Sequence, residues 1–366
     1  MSIWHYANYL PPVASQHRVT LGEGNTPLLR SRRIGPSAGL QELYFKLENC
    51  NPTGSFKDRF AAMAVSDMSA KGAKLCLATS SGNTGSALSA GCAVAGIPCY
   101  IAVVDGAPAN KLRNMHVYGA KTFSVRGFGR DPAISQGVMD RLRKLCDERQ
   151  ASLQISNYLH SPIGMIGCET LAYELAEQTD GRLDHVFTQA GAGGMTRAVA
   201  LGFSRLVAEG KLARSPRVHC VQPEGNDTIA TPLRMGWDQA RDVTCTSNVS
   251  GLQVPTVIGG HDVIPACRAC GGTGYVVTDD AVFAAQQRLA REEGVFAEPA
   301  GAAALAGLLA AVSAGEVQPH ERIVCTVTGI GFKDEKSLDR QVANCDSPCL
   351  ETVEAMDQYV GSTPTD

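Results

Sequence analysis

One lysine of the sequence lies in a segment where its amine could form a covalent bond with a ligand. Lys57 lies in residues 48–59 (ENCNPTGSFKDR), where a predicted strand ends, a proline and a glycine turn the chain, and a helix begins. Ser55 can cap that helix, with Asp58 three residues further on. A lysine in the first helical turn meets the positive end of the helix dipole, which favours loss of its proton. Its amine could then form a Schiff base with a carbonyl group, although a lone lysine is more often a solvated surface residue.

Two turns rich in glycine and hydroxyl groups follow other predicted strands. Residues 79–85 (TSSGNTG) and 188–195 (TQAGAGGM) each connect a strand to a helix, and backbone N–H groups at helix N-termini bind anions. A dinucleotide fingerprint would require Gly or Ala at position 196, where Thr196 stands, so such a site has little support. At a further strand end, residues 326–333 (TVTGIGFK) offer Thr328, whose hydroxyl can meet a ring nitrogen.

The composition excludes several classes of protein. The 366 residues carry 33 Lys+Arg against 36 Asp+Glu, and no basic run exceeds Arg32 and Arg33, which argues against nucleic acid or a membrane surface as partner. Hydrophobic residues make up 44% of the chain, as in an ordinary globular protein. The N-terminal residues do not resemble a signal peptide, and residues 300–312 are shorter than the roughly 20 apolar residues of a membrane helix. We therefore expect a cytoplasmic protein.

Short apolar runs alternate with segments of helical period, a pattern typical of parallel sheets with crossover helices. The predicted strands are residues 43–48, 74–79, 98–104, 121–125, 152–156, 185–188, 217–222, 275–277 and 322–327. The predicted helices are residues 60–70, 83–95, 110–118, 133–147, 163–176, 195–208, 280–293 and 300–312. We expect an α/β protein of two domains with mostly parallel, twisted sheets.

The 13 cysteines predict buried thiols more than disulfides, because their number is odd and no export signal accompanies them. Cys267 and Cys270 have the spacing of a zinc or redox pair, and Cys345 with Cys349 could supply a second half. The intervals do not suit a compact zinc ribbon, so no metal is expected, although the sequence leaves the pair open.

Taken together, these segments resemble the fold type II family of pyridoxal 5'-phosphate enzymes, whose fold is like that of the tryptophan synthase β subunit. The resemblance is closest to the threonine synthase branch. It runs over nearly the whole chain, through residues 22–29 (GEGNTPLL), 51–59 (NPTGSFKDR), 81–85 (SGNTG), 191–195 (GAGGM), 298–304 (EPAGAAA) and 328–334 (TGIGFKD).

The resemblance implies a place for the cofactor and a role for each motif. It implies a small α/β domain of residues 59–159 and a large one of residues 1–58 and 160–366, with pyridoxal 5'-phosphate between them. Lys57 would carry the cofactor as a Schiff base and remove the α-proton of the substrate. The other implied cofactor-binding residues are Phe56, Asn83, Gly191, Ala192, Gly193, Gly194, Met195 and Thr328. The substrate carboxylate would lie on Ser80, Ser81, Gly82 and Thr84.

The implied activity is elimination and replacement on an amino acid, by default the conversion of O-phosphohomoserine and water into threonine and phosphate. One departure keeps an alternative open. Threonine synthases carry an Asn-Pro-Tyr-Arg segment that helps bind the substrate phosphate, and residues 161–164 (SPIG) place Gly164 where the arginine would be. The basic residues that remain as candidates for supplying that charge are Lys111, Arg113, Arg126 and Arg130.

The alternative is β-elimination or β-replacement, as in a Ser/Thr dehydratase, a diaminopropionate ammonia-lyase or a cysteate-synthase-like enzyme. A more remote alternative, a non-catalytic binding protein on the same fold, is disfavoured by the intact Lys57. The resemblance also implies that the protein binds a small amino-acid substrate. It further implies that two copies of the chain form a homodimer.

Overall fold

The chain forms two separate sheets flanked by helices. The computed structural model describes residues 2–107 and 109–361, without the side chains of residues 109–111. The strands are β1 (Leu28–Arg30), β2 (Glu42–Leu47), β3 (Leu75–Thr79), β4 (Cys99–Ala102), β5 (Lys121–Phe123), β6 (Ala151–Gln154), β7 (His185–Gln189), β8 (Arg217–Pro223), β9 (Gly274–Val277) and β10 (Arg322–Val327). The large sheet has the order β1-β2-β10-β7-β8-β9 and the small sheet the order β5-β4-β3-β6.

All strand pairs are parallel except β1 with β2. The helices are α1 (Ile34–Ser37), α2 (Lys57–Ala70), α3 (Asn83–Ala95), α4 (Ala109–Val117), α5 (Pro132–Arg149), α6 (Pro162–Gln178), α7 (Gly194–Ala208), α8 (Ala230–Arg234), α9 (Val263–Ala269), α10 (Asp279–Glu293), α11 (Pro299–Ser313), α12 (Glu335–Val342) and α13 (Ala355–Gly361).

The predicted fold class is confirmed, and every predicted strand lies within about two residues of an observed one. The strands are apolar because helices cover both faces of each parallel sheet, as the burial of all of β7 illustrates. The sequence pattern missed β1, a three-residue edge strand, and the short helices α1, α8, α9, α12 and α13, because none of them exceeds eight residues and so none is long enough to show a clear period.

The alanine-rich segment predicted at residues 300–312 is α11, a helix buried against the large sheet. Ala302, Ala303 and Ala304 have no exposed surface, and small side chains let this helix pack closely on the strands. Within the described part of the chain, no helix has both the length and the apolar character needed to cross a bilayer.

The start of α2 differs from the predicted capping box. Lys57 is the first helical residue, as expected, but Phe56 occupies the cap position and Ser55 makes no capping hydrogen bond. Asp58 instead accepts hydrogen bonds from the backbone N–H of Thr53 (2.7 Å) and from its hydroxyl (2.6 Å). The carboxylate therefore holds the preceding turn against the first turn of the helix.

A buried ionic network fixes α2 two residues beyond Lys57. The Arg59 guanidinium donates to both carboxylate oxygens of Glu48, at 2.7 Å each, and lies 2.6 Å from Glu174 Oε1. Lys46 Nζ donates to Glu174 Oε2 at 2.7 Å. All four side chains are buried, so two positive and two negative charges balance each other away from water.

Helix α6 packs directly against α2 because two of its residues have no side chain. A Cβ on Gly167 would stand 2.3 Å from the carbonyl oxygen of Arg59, and one on Gly164 would stand 2.6 Å from the ring of Phe60. Both contacts are too short for any side chain. Position 164 is therefore a helix-packing position that leaves no room for an arginine.

We predict that Arg59→Ala destabilises the protein by about 3 to 5 kcal/mol, because it leaves two buried carboxylates without their main counter-charge. Urea denaturation at neutral pH measures this loss. The matched control is Arg141→Ala, which removes an exposed pair with Glu148 and should change the stability far less, because water screens exposed ion pairs. Equal losses in the two variants would contradict the role given to the network.

The same network predicts acid sensitivity. Burial alone would raise the pKa of Glu174, but the charges of Arg59 and Lys46 outweigh it and lower that pKa to about 2. Since the pKa of an unfolded glutamate is about 4.3, this contribution is complete above that pH and disappears as the pH falls toward 2. Arg59→Ala should lose this part of the pH dependence.

Candidate active site

The predicted site residues lie where parallel strands end. Lys57 follows β2, residues 80–84 follow β3, Gly191 and its neighbours follow β7, and Thr328 follows β10. In a parallel sheet these carboxyl ends form one edge, which is the usual position of ligand sites in α/β proteins. The structure adds Ser156, which follows β6 of the small sheet.

Lys57 is held by contacts around its amine. Its Nζ donates to Ser156 Oγ at 2.7 Å and lies 4.5 Å from the centre of the Phe56 ring. The residue keeps some exposed surface, but protein atoms surround it densely. This burial lowers the pKa of the Lys57 amine to about 8, while the negative charge of Glu298 partly opposes the shift. A useful fraction of the amine is therefore unprotonated near neutral pH.

Ser156 connects three of the predicted segments. Besides its contact with Lys57, its hydroxyl lies 2.8 Å from Thr84 Oγ1. Its carbonyl oxygen would be 3.6 Å from a Cβ on Gly194, so the glycine-rich loop lies beside it. Sequence reasoning missed this residue, although it follows a strand of the small sheet just as Ser80 does.

The turn of residues 80–84 uses some of its hydroxyls to fix its own shape. Ser80 Oγ accepts hydrogen bonds from the N–H groups of Gly82 (3.2 Å) and Gly85 (3.0 Å). Ser81 Oγ accepts from the N–H of Val104 at 3.3 Å. Gly82 is exposed and has open space around its Cα. The turn therefore presents the N-terminus of α3 to a ligand, where an anion is favoured.

The glycine-rich loop forms a second anion cradle at the N-terminus of α7. Gly193 has a positive φ of 81°, and a Cβ there would stand 2.6 Å from Val263 and 2.7 Å from Ile229. The Met195 side chain is buried in the core at 4% exposure, so only its backbone faces the loop. Gly191, Ala192 and Gly194 retain partial exposure, and their backbone N–H groups could hold a phosphate.

Thr328 lies buried at the end of β10 within a network of hydroxyl and amide groups. Gln189 Nε2 donates to Thr328 Oγ1, and Gln189 Oε1 accepts from the hydroxyl of Thr326 at 2.8 Å. The backbone N–H of Phe56 donates to the carbonyl oxygen of Thr328 at 3.1 Å, which ties this strand end to the segment that carries Lys57. The hydroxyl of Thr328 is thus oriented with its own proton free to donate.

Asn83 is positioned by Glu298, a residue that sequence reasoning did not assign to the site. Asn83 Nδ2 donates to Glu298 Oε1 at 2.8 Å. The carboxylate passes so close to Gly329 that a Cβ there would stand 2.1 Å from Glu298 Oε1. Glycine is therefore required at position 329, which accounts for the Thr-Gly pair at this strand end.

Lys333, the other lysine in a predicted motif, lies in a different environment. Its Nζ is buried and has no hydrogen-bond partner among the described residues. Burial lowers its pKa, with the charges of Glu298 and Asp58 opposing the shift. The contacts that surround Lys57 do not include it.

The donor set fits a phosphorylated aromatic aldehyde. Lys57 offers a nucleophilic amine, the side-chain-free loop before α7 offers N–H groups to a phosphate, and Thr328 offers a neutral hydroxyl to a ring nitrogen. Asn83 could contact a ring hydroxyl. At Gly193 a side chain would clash with Val263 and Ile229, so this part of the loop presents only backbone, as a cradle requires.

The two cysteine pairs that the sequence singled out differ in exposure. Cys267 and Cys270 are buried, whereas Cys345 and Cys349 are exposed. Within the described part of the chain, no third metal-ligating side chain joins the Cys267 and Cys270 pair.

The sequence and the fold are similar to those of known enzymes. The sequence profile of the family described as pyridoxal-phosphate dependent enzymes matches residues 19–329. The threonine synthase of Methanocaldococcus jannaschii is 32% identical over 346 residues, which cover 93% of this chain and 82% of that protein. The threonine synthase of Methanosarcina acetivorans is 33% identical over 355 residues, covering 95% of this chain and 84% of that protein. The solved structure of maize serine racemase superposes with a TM-score of 0.71 at 25% identity, covering 88% of this chain and 92% of that one.

We predict that Glu298→Gln lowers the pKa of Lys57 below about 8, because it removes a negative charge that favours the protonated amine. Competitive acetylation across a pH series, quantified by peptide mass spectrometry on protein stripped of bound carbonyl compounds, measures this pKa. Gln at position 298 can still accept the Asn83 hydrogen bond. Glu335→Gln is the exposed control and should leave the midpoint unchanged. An unshifted midpoint in Glu298→Gln would remove Glu298 from the site's electrostatics.

Proposed function

The chain belongs to the family of pyridoxal-phosphate dependent enzymes, and from that premise we propose that it acts as a lyase similar to threonine synthase. In the proposed reaction, O-phosphohomoserine and water give threonine and phosphate. The observation that carries the proposal is the contact of Lys57 Nζ with Ser156, inside a motif set that resembles threonine synthases. The identity of 32 to 33% to such enzymes over more than nine-tenths of this chain supports it.

We propose that the cofactor lies between two domains with the limits that the sequence predicts. Residues 59–159 include all four strands of the small sheet, and residues 1–58 with 160–366 include all six strands of the large sheet. Lys57 precedes the first of these limits by two residues. Its helix contacts both α3 and α6, which lie on opposite sides of the proposed boundary.

In this proposal each group of the cofactor meets one part of the site. Lys57 holds the aldehyde carbon, the N–H groups of residues 191–195 hold the phosphate, and Thr328 donates to the ring nitrogen. Asn83 contacts the ring hydroxyl, and Phe56 lies against the amine end of the site. The cofactor, when bound, withdraws electrons from the α-carbon of an amino acid and so makes its α-proton removable. A neutral hydroxyl at the ring nitrogen moderates that withdrawal, which suits elimination.

Lys57 is also the proposed general base. A base works best when its pKa is near the working pH, and burial brings the pKa of this amine to about 8. Ser156 holds Nζ beside Thr84, at the turn where Ser80, Ser81 and Gly82 form the proposed carboxylate site. The amine and the substrate's α-carbon would thus be held at the same end of α3.

The second candidate is β-elimination or β-replacement on an unphosphorylated or β-substituted amino acid. The packing at Gly164 favours it, because the Phe60 ring excludes a phosphate-binding arginine from that position. Threonine-synthase-like chemistry then needs another cation. Of the basic residues named above, Arg113 is 3.9 Å from Glu335, so it reaches from α4 to α12 across the two proposed domains. Arg113, Arg126 and Arg130 are all exposed, so the pairing with Glu335 is what distinguishes Arg113, and the side chain of Lys111 is outside the described residues.

The proposal also includes a cytoplasmic location, a homodimeric state and a role in amino-acid metabolism. These three points rest on the resemblance to the family. Light scattering on the purified holoenzyme tests the dimer.

We predict that borohydride reduction of the holoenzyme, followed by peptide mapping, places the pyridoxyl group on Lys57. The reason is that its amine is partly unprotonated at neutral pH and contacts Ser156, which lies beside both the phosphate cradle and Thr84. Lys57→Ala should lose the label and the visible absorbance of the bound cofactor, whereas Lys333→Ala should keep both. A label on Lys333 would end the assignment.

We predict phosphate release from O-phosphohomoserine with threonine as product, and little keto acid from serine, threonine or diaminopropionate. Parallel assays of phosphate and keto acid on one enzyme preparation measure this, with Lys57→Ala as the inactive control.

Arg113→Gln should raise the KM for O-phosphohomoserine roughly tenfold to a hundredfold, the effect of losing a charged hydrogen bond of about 1.5 to 3 kcal/mol.

Saturable keto-acid release without phosphate release would replace the first candidate by the second. Arg126→Gln is the matched control for Arg113→Gln, since it neutralises an exposed arginine elsewhere on the same domain. Equal KM values in both variants would exclude Arg113 as the phosphate ligand.

A further inference from the structure

Three cysteines meet in the core of the small sheet, away from the proposed active site. Cys76 lies on β3, Cys99 on the neighbouring strand β4, and Cys92 on α3. Their sulfur atoms all lie within 4.8 Å of one another. Cys76 and Cys99 are direct partners in the parallel pairing of β3 with β4, so both side chains point to the sheet face that α3 covers.

This cysteine triad has the geometry of a three-sulfur ligand set. An ion with bonds of about 2.3 Å to sulfur, the length found for zinc thiolates, holds three sulfurs about 4 Å apart when it lies in their plane. It holds them closer when it lies above the plane. The observed spacing therefore requires only a small contraction.

The surroundings of the triad restrict the charge that it can hold. Cys76, Cys92 and Cys99 are buried at 0, 1 and 5% exposure in an apolar cluster. Among the described residues, no lysine or arginine acts electrostatically on Cys92 or Cys99. A buried complex with net charge would have no counter-charge, and such burial is costly.

The net charge depends on the ion. Three thiolates around a monovalent copper ion leave two negative charges, and around a divalent zinc ion they leave one. Zinc also takes four ligands in structural sites. A trivalent ion leaves none. Soft thiolates select thiophilic ions, so a trivalent thiophilic ion satisfies both the ligand set and the burial.

We propose that Cys76, Cys92 and Cys99 form a trithiolate binding site for a trivalent thiophilic ion, with the arsenic of arsenous acid as the representative ligand. Binding exchanges the three hydroxyl groups of As(OH)3 for three sulfurs. Three As–O bonds break and three As–S bonds form, and each thiol proton leaves with a hydroxyl as water. No atom changes oxidation state, and the bound complex is neutral.

The triad lies at the end of β3 and α3 opposite to the proposed substrate turn. Cys76 is four residues before Ser80, a distance of about 13 Å along a strand. Residues 93 and 94 of α3 and residues 96 and 98 of the turn that follows it are exposed. The surface that lies beside the triad is therefore this turn and not the substrate turn.

The experiment uses the holoenzyme in which the exposed Cys50, Cys345 and Cys349 and the half-buried Cys146 and Cys245 are replaced by serine, to remove other accessible thiols. The reduced protein is incubated with arsenite to equilibrium, with mild warming to allow local opening, and bound arsenic is counted after dialysis. We expect a single arsenic per chain, and a thermal midpoint that rises with arsenite concentration. Zinc at the same concentration should not displace it.

The matched variants are Cys92→Ala and Cys99→Ala, against Cys325→Ala and Cys267→Ala as buried thiols outside the triad. Loss of a direct ligand should weaken binding more than about a hundredfold, since loss of a second-shell contact alone costs 10- to 100-fold. The two controls should bind as tightly as the parent.

Arsenic X-ray absorption on the parent protein tests the site without any variant. Three sulfur neighbours and no oxygen are expected. Two sulfurs with an oxygen, equal binding in Cys92→Ala and Cys325→Ala, or no arsenic bound at equilibrium would each overturn the proposal. None of these readouts depends on the enzyme's substrate, so the proposal can fail while the proposed activity stands.

Discussion

The rest of the structure depends on how the charge of Arg59 is balanced inside the protein. Its guanidinium contacts Glu48 from the end of β2 and Glu174 from α6, while Lys46 supplies the second positive charge. Buried charges of this kind are tolerated only when every partner is in place. The network therefore fixes β2, α2 and α6 relative to one another, and Lys57 lies two residues away on the same helix.

The same network explains why distant parts of the sequence must occur together. Glu174 accepts a hydrogen bond from the backbone N–H of Asn25 at 2.7 Å, and Glu48 accepts one from the hydroxyl of Thr26 at 2.6 Å. A Cβ on Gly24 would stand 2.9 Å from Glu174, and its φ of 92° suits glycine. Residues 22–29 thus stabilise the lysine segment through their contacts with Glu48 and Glu174.

Two chains of contacts then connect the ends of the two sheets around α2. One leads from Lys57 through Ser156 to Thr84, which joins the large sheet's lysine segment to the small sheet. The other leads from Asn83 through Glu298 to Gly329, which joins the start of α3 to the end of β10. Because both chains cross from one sheet to the other, the chemistry of Lys57 depends on the spacing between the sheets. The helix α3 contributes to two different sites: Asn83 at its N-terminus belongs to the proposed active site, and Cys92 near its C-terminus belongs to the cysteine triad.

The sequence by itself determined the fold class, nine of the ten strands and the eight long helices within about three residues, and the segments that carry Lys57, Asn83, the glycine-rich loop and Thr328. These are local properties, because apolar periodicity and turn residues act over a few neighbouring positions. Only the tertiary structure decided that Asp58 binds Thr53 instead of forming a capping box, that Gly164 packs on Phe60, and that Ser156 and Glu298 reach the site. It alone brought Cys76, Cys92 and Cys99 together. The physical reason is that these partners are set by strand order and helix packing, which depend on contacts between residues far apart in the chain.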